Sequence, residues 1–243
     1  MEGDHVVLPG GHVLDEERLR KMIRHKDSVF IIEGRETYRV EMRNGKRYYK
    51  LRVPITGRAP TLEISGVHMH RIVEVDPWTD SLMKVNLARV RAGARVLDVC
   101  TGLGYTAIAS RLRGARYVLT IEKDENVLKI AKANPWSRRL ADPQVDIILG
   151  DAVEVLLELP SGSFHVIVHD PPRLSLAGEL YSLEFYRELY RVLRRRGILF
   201  HYTGNPGGKY RRLNIAKGVA QRLRAVGFKV AYAREALGVI GFK

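Results

Sequence analysis

The run Arg95-Val-Leu-Asp-Val-Cys-Thr-Gly-Leu-Gly-Tyr-Thr-Ala107 constrains the fold more than any other part of the chain. Val96 to Cys100 reads as a buried strand that ends in a glycine turn, and the turn opens a helix. Gly102 and Gly104 let the main chain bend sharply and come close to a ligand, where a side chain would clash. Asp98 lies inside the strand, and burying an acid costs free energy unless something uses it. The next strand, Tyr117 to Glu122, closes on a second acid, placed to accept from both hydroxyls of a ribose. The loop reads as a cradle for a nucleoside.

From Arg95 onward strands and helices alternate. Strand Val96–Cys100 precedes helix Tyr105–Arg113, strand Tyr117–Glu122 precedes helix Glu125–Asn134, and strand Val145–Leu149 precedes helix Ala152–Leu159. Strand Phe164–His169 then leads to helix Leu183–Leu193, and strand Ile198–Tyr202 to helix Leu213–Val226. Such alternation specifies a parallel sheet with helices on both faces. The end differs. Phe228–Arg234 and Leu237–Phe242 have almost no room between them and predict an antiparallel pair at the sheet edge. Ligands of such sheets sit at the carboxyl ends of the strands, where the winding reverses. Asp98, Glu122, Asp151 and Asp170 all fall at or near such ends, which packing alone does not explain.

Gly102-x-Gly104-x-x-Ala107 also fits the dinucleotide fingerprint. Three features favour another cofactor: the acid inside the first strand, the ending Leu149-Gly150-Asp151-Ala152 that offers a carboxylate to an adenine amino group, and the ending His169-Asp170-Pro171-Pro172-Arg173. In order and spacing these resemble class I methyltransferases from about residue 75 to the C-terminus. The resemblance implies an α/β, Rossmann-like, mostly parallel seven-stranded sheet with an antiparallel C-terminal pair, and S-adenosylmethionine as cofactor. It implies cofactor contacts from Asp98, Thr101, Gly102, Gly104, Tyr105, Thr106, Glu122, Lys123, Asp151 and Ala152. A helix is expected over Ser81–Arg91. In this family the segment leading into that helix often lies over the cofactor, which makes Trp78, Thr79 and Asp80 candidates, with a plain helix cap the equal alternative.

Methyltransferases acting on exocyclic amines carry an Asp or Asn, two prolines and usually an aromatic residue at the fourth strand end. An amino group conjugated to a base ring is a poor nucleophile. Asp170 and the Pro171 carbonyl could each accept an N–H and turn the lone pair towards the methyl group, while the prolines fix the backbone. No metal is needed. Arg173 replaces the aromatic residue; a guanidinium can stack on a base or clamp a phosphate, and its presence equally fits a substrate that is not a base. His169 is expected to pack beneath the site, and Tyr181 is the best candidate for a base platform. Asp170, Pro171, Pro172 and Arg173 are the predicted catalytic set. The whole chain also resembles a set of archaeal methyltransferases of this length, which implies N4 of a ribosomal RNA cytidine as the target.

Residues 1–75 do not alternate and are expected to form a small β-rich domain ahead of a catalytic domain over 76–243. Asp15 to Lys26 predicts a short helix capped by Asp15. Asn44-Gly45 between alternating runs predicts a hairpin pairing Arg43 with Lys46, Glu41 with Tyr48 and Arg39 with Lys50. That register puts Arg39, Arg43, Lys46, Lys50 and Arg52 on one face opposed only by Glu41, and Tyr38, Val40, Met42, Tyr49, Leu51 and Val53 on the other. Strand is expected over Thr61–Ser65 and Met69–Val75. The basic face could track phosphates, with Tyr48 available to stack on a base, or be merely a solvated face.

Net charge bears on the class of partner, the alternative being simply a basic, soluble protein from a salt-rich or hot environment. At +14 over 243 residues the chain implies a polyanion, with RNA foremost. Phe185 to Arg224 alone holds eleven Lys or Arg against Glu188. Lys209, Arg211 and Arg212 lie beyond a strand's carboxyl end and join Arg39, Arg43 and Lys50 as candidate RNA contacts. The cluster at Arg194 to Arg196 is explained instead by the preceding helix C-terminus, where cations are favoured anyway. One cysteine, Cys100, rules out a disulfide framework and a cysteine-based metal site. With no long apolar run and an acidic start, the expected location is the cytoplasm, away from membranes.

Other readings stay open. An aminopropyltransferase of the spermidine-synthase type shares the sheet and a small N-terminal β-domain, but those enzymes resemble one another in a Gly-Gly-Gly-Asp-Gly loop absent here, and a polyamine site wants acidic surroundings. A methyltransferase of protein or small molecules, or a non-catalytic RNA-binding subunit, completes the set. Four intact acids argue against the last.

Overall fold

The computed structural model describes residues 5–9, 11–204 and 215–243. Strands β1 (His5–Val7) and β2 (Val13–Asp15) pair antiparallel and lead into helix α1 (Glu16–Arg24), which Asp15 caps through the Arg18 N–H. β3 (Phe30–Glu33) and β4 (Glu36–Arg39) form a hairpin. β5 (Glu41–Asn44), β6 (Arg47–Arg52), β7 (Thr61–Ile64) and β8 (Val67–His68) make a four-stranded antiparallel sheet.

The remaining elements are α2 (Pro77–Leu87), β9 (Arg95–Val99), α3 (Tyr105–Leu112), β10 (Tyr117–Glu122), α4 (Glu125–Lys132), β11 (Val145–Leu149), α5 (Ala152–Glu158), β12 (Phe164–His169), α6 (Leu183–Val192), β13 (Leu193–Tyr202), α7 (Ile215–Val226), β14 (Lys229–Ala233) and β15 (Gly238–Phe242). Their strands form one sheet in the order β11-β10-β9-β12-β13-β15-β14. β15 runs antiparallel to both its neighbours, and the other pairs are parallel. This is the Rossmann-like class I arrangement with the expected antiparallel C-terminal pair.

Alternation along β9 shows why the sheet needs two helical layers. Leu97 and Val99 enter a core with Leu156 of α5, Leu189 of α6 and Leu223 of α7. Val96 enters the opposite core with Val85 of α2 and Ala107 of α3. Successive strand residues face opposite ways, so a strand apolar on both sides must be covered on both. A third core joins the four-stranded sheet to this body. Val40, Tyr49, Leu51 and Leu62 pack against Leu103, Tyr105, Val127 and Ile130 of the loop and helices beside the glycine turn. Burial of each large side chain stabilises by about 1.5–3 kcal/mol. The small sheet therefore draws half of its core from residues beyond position 76.

Several local expectations need correction. The hairpin turns on Gly45 and Lys46, so Glu41 faces Lys50 and Arg43 faces Tyr48. The slip is two residues, which preserves the side-chain alternation. Val40 nevertheless interrupts the first strand, and Tyr38 on its far side is exposed, not core-directed. Residues 69–75 form no strand; the last pairing in the small sheet ends at His68. Helix α2 begins four residues earlier than expected because Asp76 caps the N–H groups of Trp78 and Thr79, with Pro77 in the first turn. Arg194 to Arg196 do follow the C-terminus of α6, but β13 begins at Leu193 and not at Ile198, so they lie within the strand's span. Lys209, Arg211 and Arg212 lie outside the described residues.

Candidate active site

The strand order reverses between β9 and β12, and a cavity of about 360 Å³ opens at that point. Its size falls within the range of small-molecule sites. The loops after four parallel strands line it: Thr101 and Gly102 after β9, Glu122 and Lys123 at β10, Asp151 and Ala152 after β11, and Asp170, Pro171 and Pro172 after β12. Tyr105 and Thr106 of α3 join them. The small antiparallel sheet and the segment after it supply Leu62, Ile64, Val67, Met69 and His70 as an apolar wall. Sequence reasoning missed that wall, because nothing local in an antiparallel sheet says what it will lean on.

The two glycines of the turn differ. Gly102 has φ +53°, and a Cβ there would project into open space beside the cavity. Gly104 has φ +76°, and a Cβ there would lie 2.5 Å from the Leu140 side chain. Gly102 keeps the cavity floor open; Gly104 is required by packing and by its left-handed cap of α3, and it does not line the cavity.

Glu122 fixes this turn. Its two carboxylate oxygens accept from the Gly102 and Asp124 N–H groups, at 2.9 and 3.0 Å. Burial raises its pKa, and those N–H bonds oppose the rise. An ionised carboxylate has about four acceptor sites, so capacity remains for further donors. Asp98 lies beneath, fully buried, with Oδ2 accepting from the Thr120 hydroxyl at 2.7 Å and Oδ1 without a hydrogen-bond partner among the described residues. Burial pushes its pKa up to about 7. Asp151 caps α5 through the Val153 N–H and lies 3.7 Å from Lys123.

At the opposite wall a lysine that no motif had marked holds two acids. Lys84, on α2, is 2% exposed and reaches Asp170 Oδ2 at 2.6 Å and Asp80 Oδ2 at 2.8 Å. Arg71 bonds the other Asp80 oxygen at 2.8 Å, and the Tyr202 ring lies 4.2 Å from Lys84 Nζ. Burial works against the lysine's charge, but Asp170 and Asp80 outweigh it and its pKa rises. Asp170 is likewise raised by burial and restrained by Lys84. Such a chain is costly to desolvate and more costly to break, since one missing partner leaves a buried charge. The only sequence signal was spacing: Asp80 and Lys84 are one helical turn apart.

The proline strand end is braced from below. The Tyr181 hydroxyl donates to the Pro172 carbonyl at 2.9 Å, and its ring is buried, so it supports the loop and offers no platform. His169 is buried against Tyr181, Phe185 and His201, with Nε2 3.1 Å from the Leu180 carbonyl and its pKa lowered by burial to about 4. It packs beneath the site, as expected. Arg173 is exposed outside the cavity lining. Thr79 also lies off the cavity; its hydroxyl donates to Asp76 at 2.6 Å. His70 does line the cavity, neutral through burial and, secondarily, through Lys84, with its pKa lowered to about 3.

The basic face of the hairpin is largely neutralised. Arg39 pairs with Glu41, Lys50 with Asp27, and Arg52 with both Asp27 and Glu63. Tyr48 donates to Glu41, and burial with that bond pushes its pKa up to about 12. The opposing acids Asp27 and Glu63 arrive from other segments, which hairpin register could not show. Arg43 is exposed. Among the described residues, no group of three or more His, Cys, Asp or Glu is arranged to hold a metal ion, and no helix is long and apolar enough to cross a membrane.

Known proteins fall into the same fold. Uncharacterized protein MJ1233 of Methanocaldococcus jannaschii is 50% identical over 93% of this chain and 77% of its own length. Polyamine aminopropyltransferase 2 of Streptomyces coelicolor is 28% identical over 68% of this chain, which spans 31% of that protein. Ribosomal RNA large subunit methyltransferases are the assignment that two further M. jannaschii relatives carry provisionally, over 34% and 44% of this chain. A crystal structure of spermidine synthase with the transition-state analogue AdoDATO superposes with a TM-score of 0.66 at 18% identity, covering 83% of this chain and 71% of that one. The relatives therefore include both methyltransferases and aminopropyltransferases, and the chain is an enzyme of the S-adenosylmethionine-dependent methyltransferase fold family. The model of the family described as conserved hypothetical protein 95 matches residues 74–199, and the protein belongs to that family.

Proposed function

We propose that the protein transfers a methyl group from S-adenosylmethionine to an exocyclic amino nitrogen of an RNA base, with N4 of a ribosomal RNA cytidine as the target. The observation that carries this reading is Asp170 at the cavity, held by Lys84 and followed by two prolines. The cavity suits the cofactor. Gly102 leaves open the space a Cβ would fill, Glu122 keeps acceptor capacity for ribose hydroxyls, and Asp151 stands at the third strand end for an adenine amino group. The bound cofactor supplies a methyl group already activated by its sulfonium.

The chain's own residues then have positioning and electrostatic work. Lys84 opposes the rise that burial imposes on the Asp170 pKa, favouring its ionised form, and fixes its Oδ2, so Oδ1 is left to accept an amino N–H. The Pro171 carbonyl, its backbone stiffened by the ring, accepts the other. Holding both N–H groups turns the nitrogen lone pair towards the methyl group, and a near-attack geometry of this kind removes much of the entropic barrier. The amine proton released on methylation passes to Asp170 and on to water. RNA as partner is supported by the net charge of +14.

Aminopropyl transfer is the second reading, favoured by the spermidine synthase superposition. Against it stand the basic surface and the neutralisation of Asp170 by Lys84, since a polycationic amine needs uncompensated carboxylates. Nucleoside mass spectrometry decides between them. Unmodified ribosomal RNA is incubated with the protein and a deuterated-methyl cofactor, beside an aminopropyl donor with a diamine. Labelled N4-methylcytidine or its dimethyl form is expected; label on another base's amine moves the target, and aminopropyl product without RNA label overturns the proposal.

A further inference from the structure

The end of the main sheet opposite the cavity is lined with arginines that the site does not use. Arg95 opens β9, Arg116 immediately precedes β10, and Arg91 lies in the turn before β9. The three remaining arginines are pushed out of the sheet. On β12 and β13, Phe164 faces Leu193 and Val166 faces Ile198, so His165 alone spans Arg194, Arg195, Arg196 and Gly197. This bulge carries strain: Arg196 has φ +59°, in the left-handed region that favours glycine. Gly197 is needed there because a Cβ would meet Leu193 at 2.6 Å. Bulges re-aim side chains, and this one presents three exposed arginines in a row.

The surroundings leave these charges uncompensated. Arg111 pairs with Asp142 and Arg191 with Glu188, but among the described residues none of Arg91, Arg95, Arg116, Arg194, Arg195 or Arg196 has an ion pair. Asp146, at the start of β11, instead accepts from the Tyr117 hydroxyl. Arg95 is held in place by rings, 4.6 Å from the Tyr117 centroid and 5.9 Å from that of Phe164, while its N–H donates to His165 Nδ1. Burial, then Arg194, Arg116, Arg95 and Arg91, lower the His165 pKa, so this histidine adds no charge of its own to relieve or extend the cluster. Like charges gathered without counter-ions repel, and a polyanion relieves that repulsion while releasing its own condensed cations.

We propose that this arginine face is a second docking surface, at the end of the sheet opposite the cavity, for the phosphate backbone of a folded RNA. Guanidinium groups present planar donors suited to phosphate oxygens, and ring-held Arg95 loses little freedom on binding. A strand of five or six residues separates the two ends by roughly 17–20 Å. An RNA that touches both must curl around the body, which favours a structured substrate over a short single strand. The inference rests on RNA being the partner but not on which atom is methylated.

The test is binding of an unmodified ribosomal RNA transcript, followed by fluorescence anisotropy across a salt titration without cofactor. The triple variant Arg116→Glu, Arg194→Glu, Arg195→Glu is expected to bind at least tenfold more weakly, with a salt slope smaller by about 2–3. The corresponding triple lysine variant should keep most of the affinity. If the triple glutamate chain fails to fold, Arg195→Glu alone should lower the slope by about 1. Calorimetric titration with S-adenosylmethionine should be unchanged in every folded variant. Wild-type affinity and slope in the glutamate variants would overturn the surface, as would wild-type binding to phosphatidylserine vesicles with none to RNA. Absence of methyl transfer with the slope loss intact would instead refute the proposed reaction and leave the surface standing.

Discussion

The two ends of the seven-stranded sheet carry opposite chemistry by opposite means. At the carboxyl ends, Asp98, Glu122, Asp151 and Asp170 converge, and each has at least one oxygen satisfied by a neighbour. At the amino ends the arginines, exposed except for half-buried Arg95, stand without ion pairs among the described residues. Buried acids must be satisfied within the fold, since an isolated buried charge is prohibitive. Exposed guanidinium groups are satisfied by water and can wait for a partner. One end should therefore be intolerant of substitution in stability and chemistry, and the other tolerant in both while sensitive in binding.

Lys84→Met tests the intolerant end most severely. It strands Asp170 without its cation and leaves Asp80 with Arg71 alone, and breaking such a buried pair costs about 3–5 kcal/mol. Urea unfolding measures it, and a loss below about 1 kcal/mol, the range of surface pairs, would erase the contrast. Asp170→Asn, which keeps shape and removes charge, should lower methyl transfer by about 10²–10³-fold with cofactor affinity retained, read by single-turnover assay beside calorimetry. Equal loss of both would remove Asp170 from the reacting end of the cavity.

The glycines sharpen the comparison within the turn itself. Gly104→Ala drives a Cβ into Leu140 at a left-handed φ and should cost about 1–3 kcal/mol of stability. Gly102→Ala meets no atom and carries only the conformational penalty of about 1–2 kcal/mol, but it fills cavity space and should weaken S-adenosylmethionine binding disproportionately. If Gly104→Ala weakened the cofactor more than Gly102→Ala did, the division of roles would be reversed.

Asp98 gives the acid end a pH signature. Its folded pKa, raised by burial to about 7, lies above that of an unfolded aspartate. The stability linked to it is complete below the ordinary carboxylate range and drains as pH rises through about 7. Between about pH 5 and about pH 8 the wild type should lose more stability than Asp98→Asn, as followed by unfolding midpoints. Parallel curves would mean that Asp98 ionises normally. The smallest effect belongs to the exposed charges. Arg39→Ala, which breaks an exposed pair with Glu41, and Arg195→Ala should each change stability by under about 0.5 kcal/mol.

Residue periodicity determined much of this protein unaided. The strand and helix succession after Arg95, the antiparallel end pair, the nucleoside-type turn and the acids at four strand ends are local patterns, each set by neighbours a few positions away. Tertiary structure alone decided the rest. It chose Lys84 as the partner of Asp170 across 86 residues, leaned the small sheet onto the cavity through Leu62, Ile64 and Val67, and split the roles of Gly102 and Gly104 by where Leu140 came to rest. It also set Asp27 and Glu63 against the hairpin's basic face and raised Arg194 to Arg196 out of the sheet in a bulge. The physical reason is the same throughout. Backbone periodicity is encoded within a turn or a strand, whereas the burial and neutralisation of a charge depend on which distant segment packs beside it.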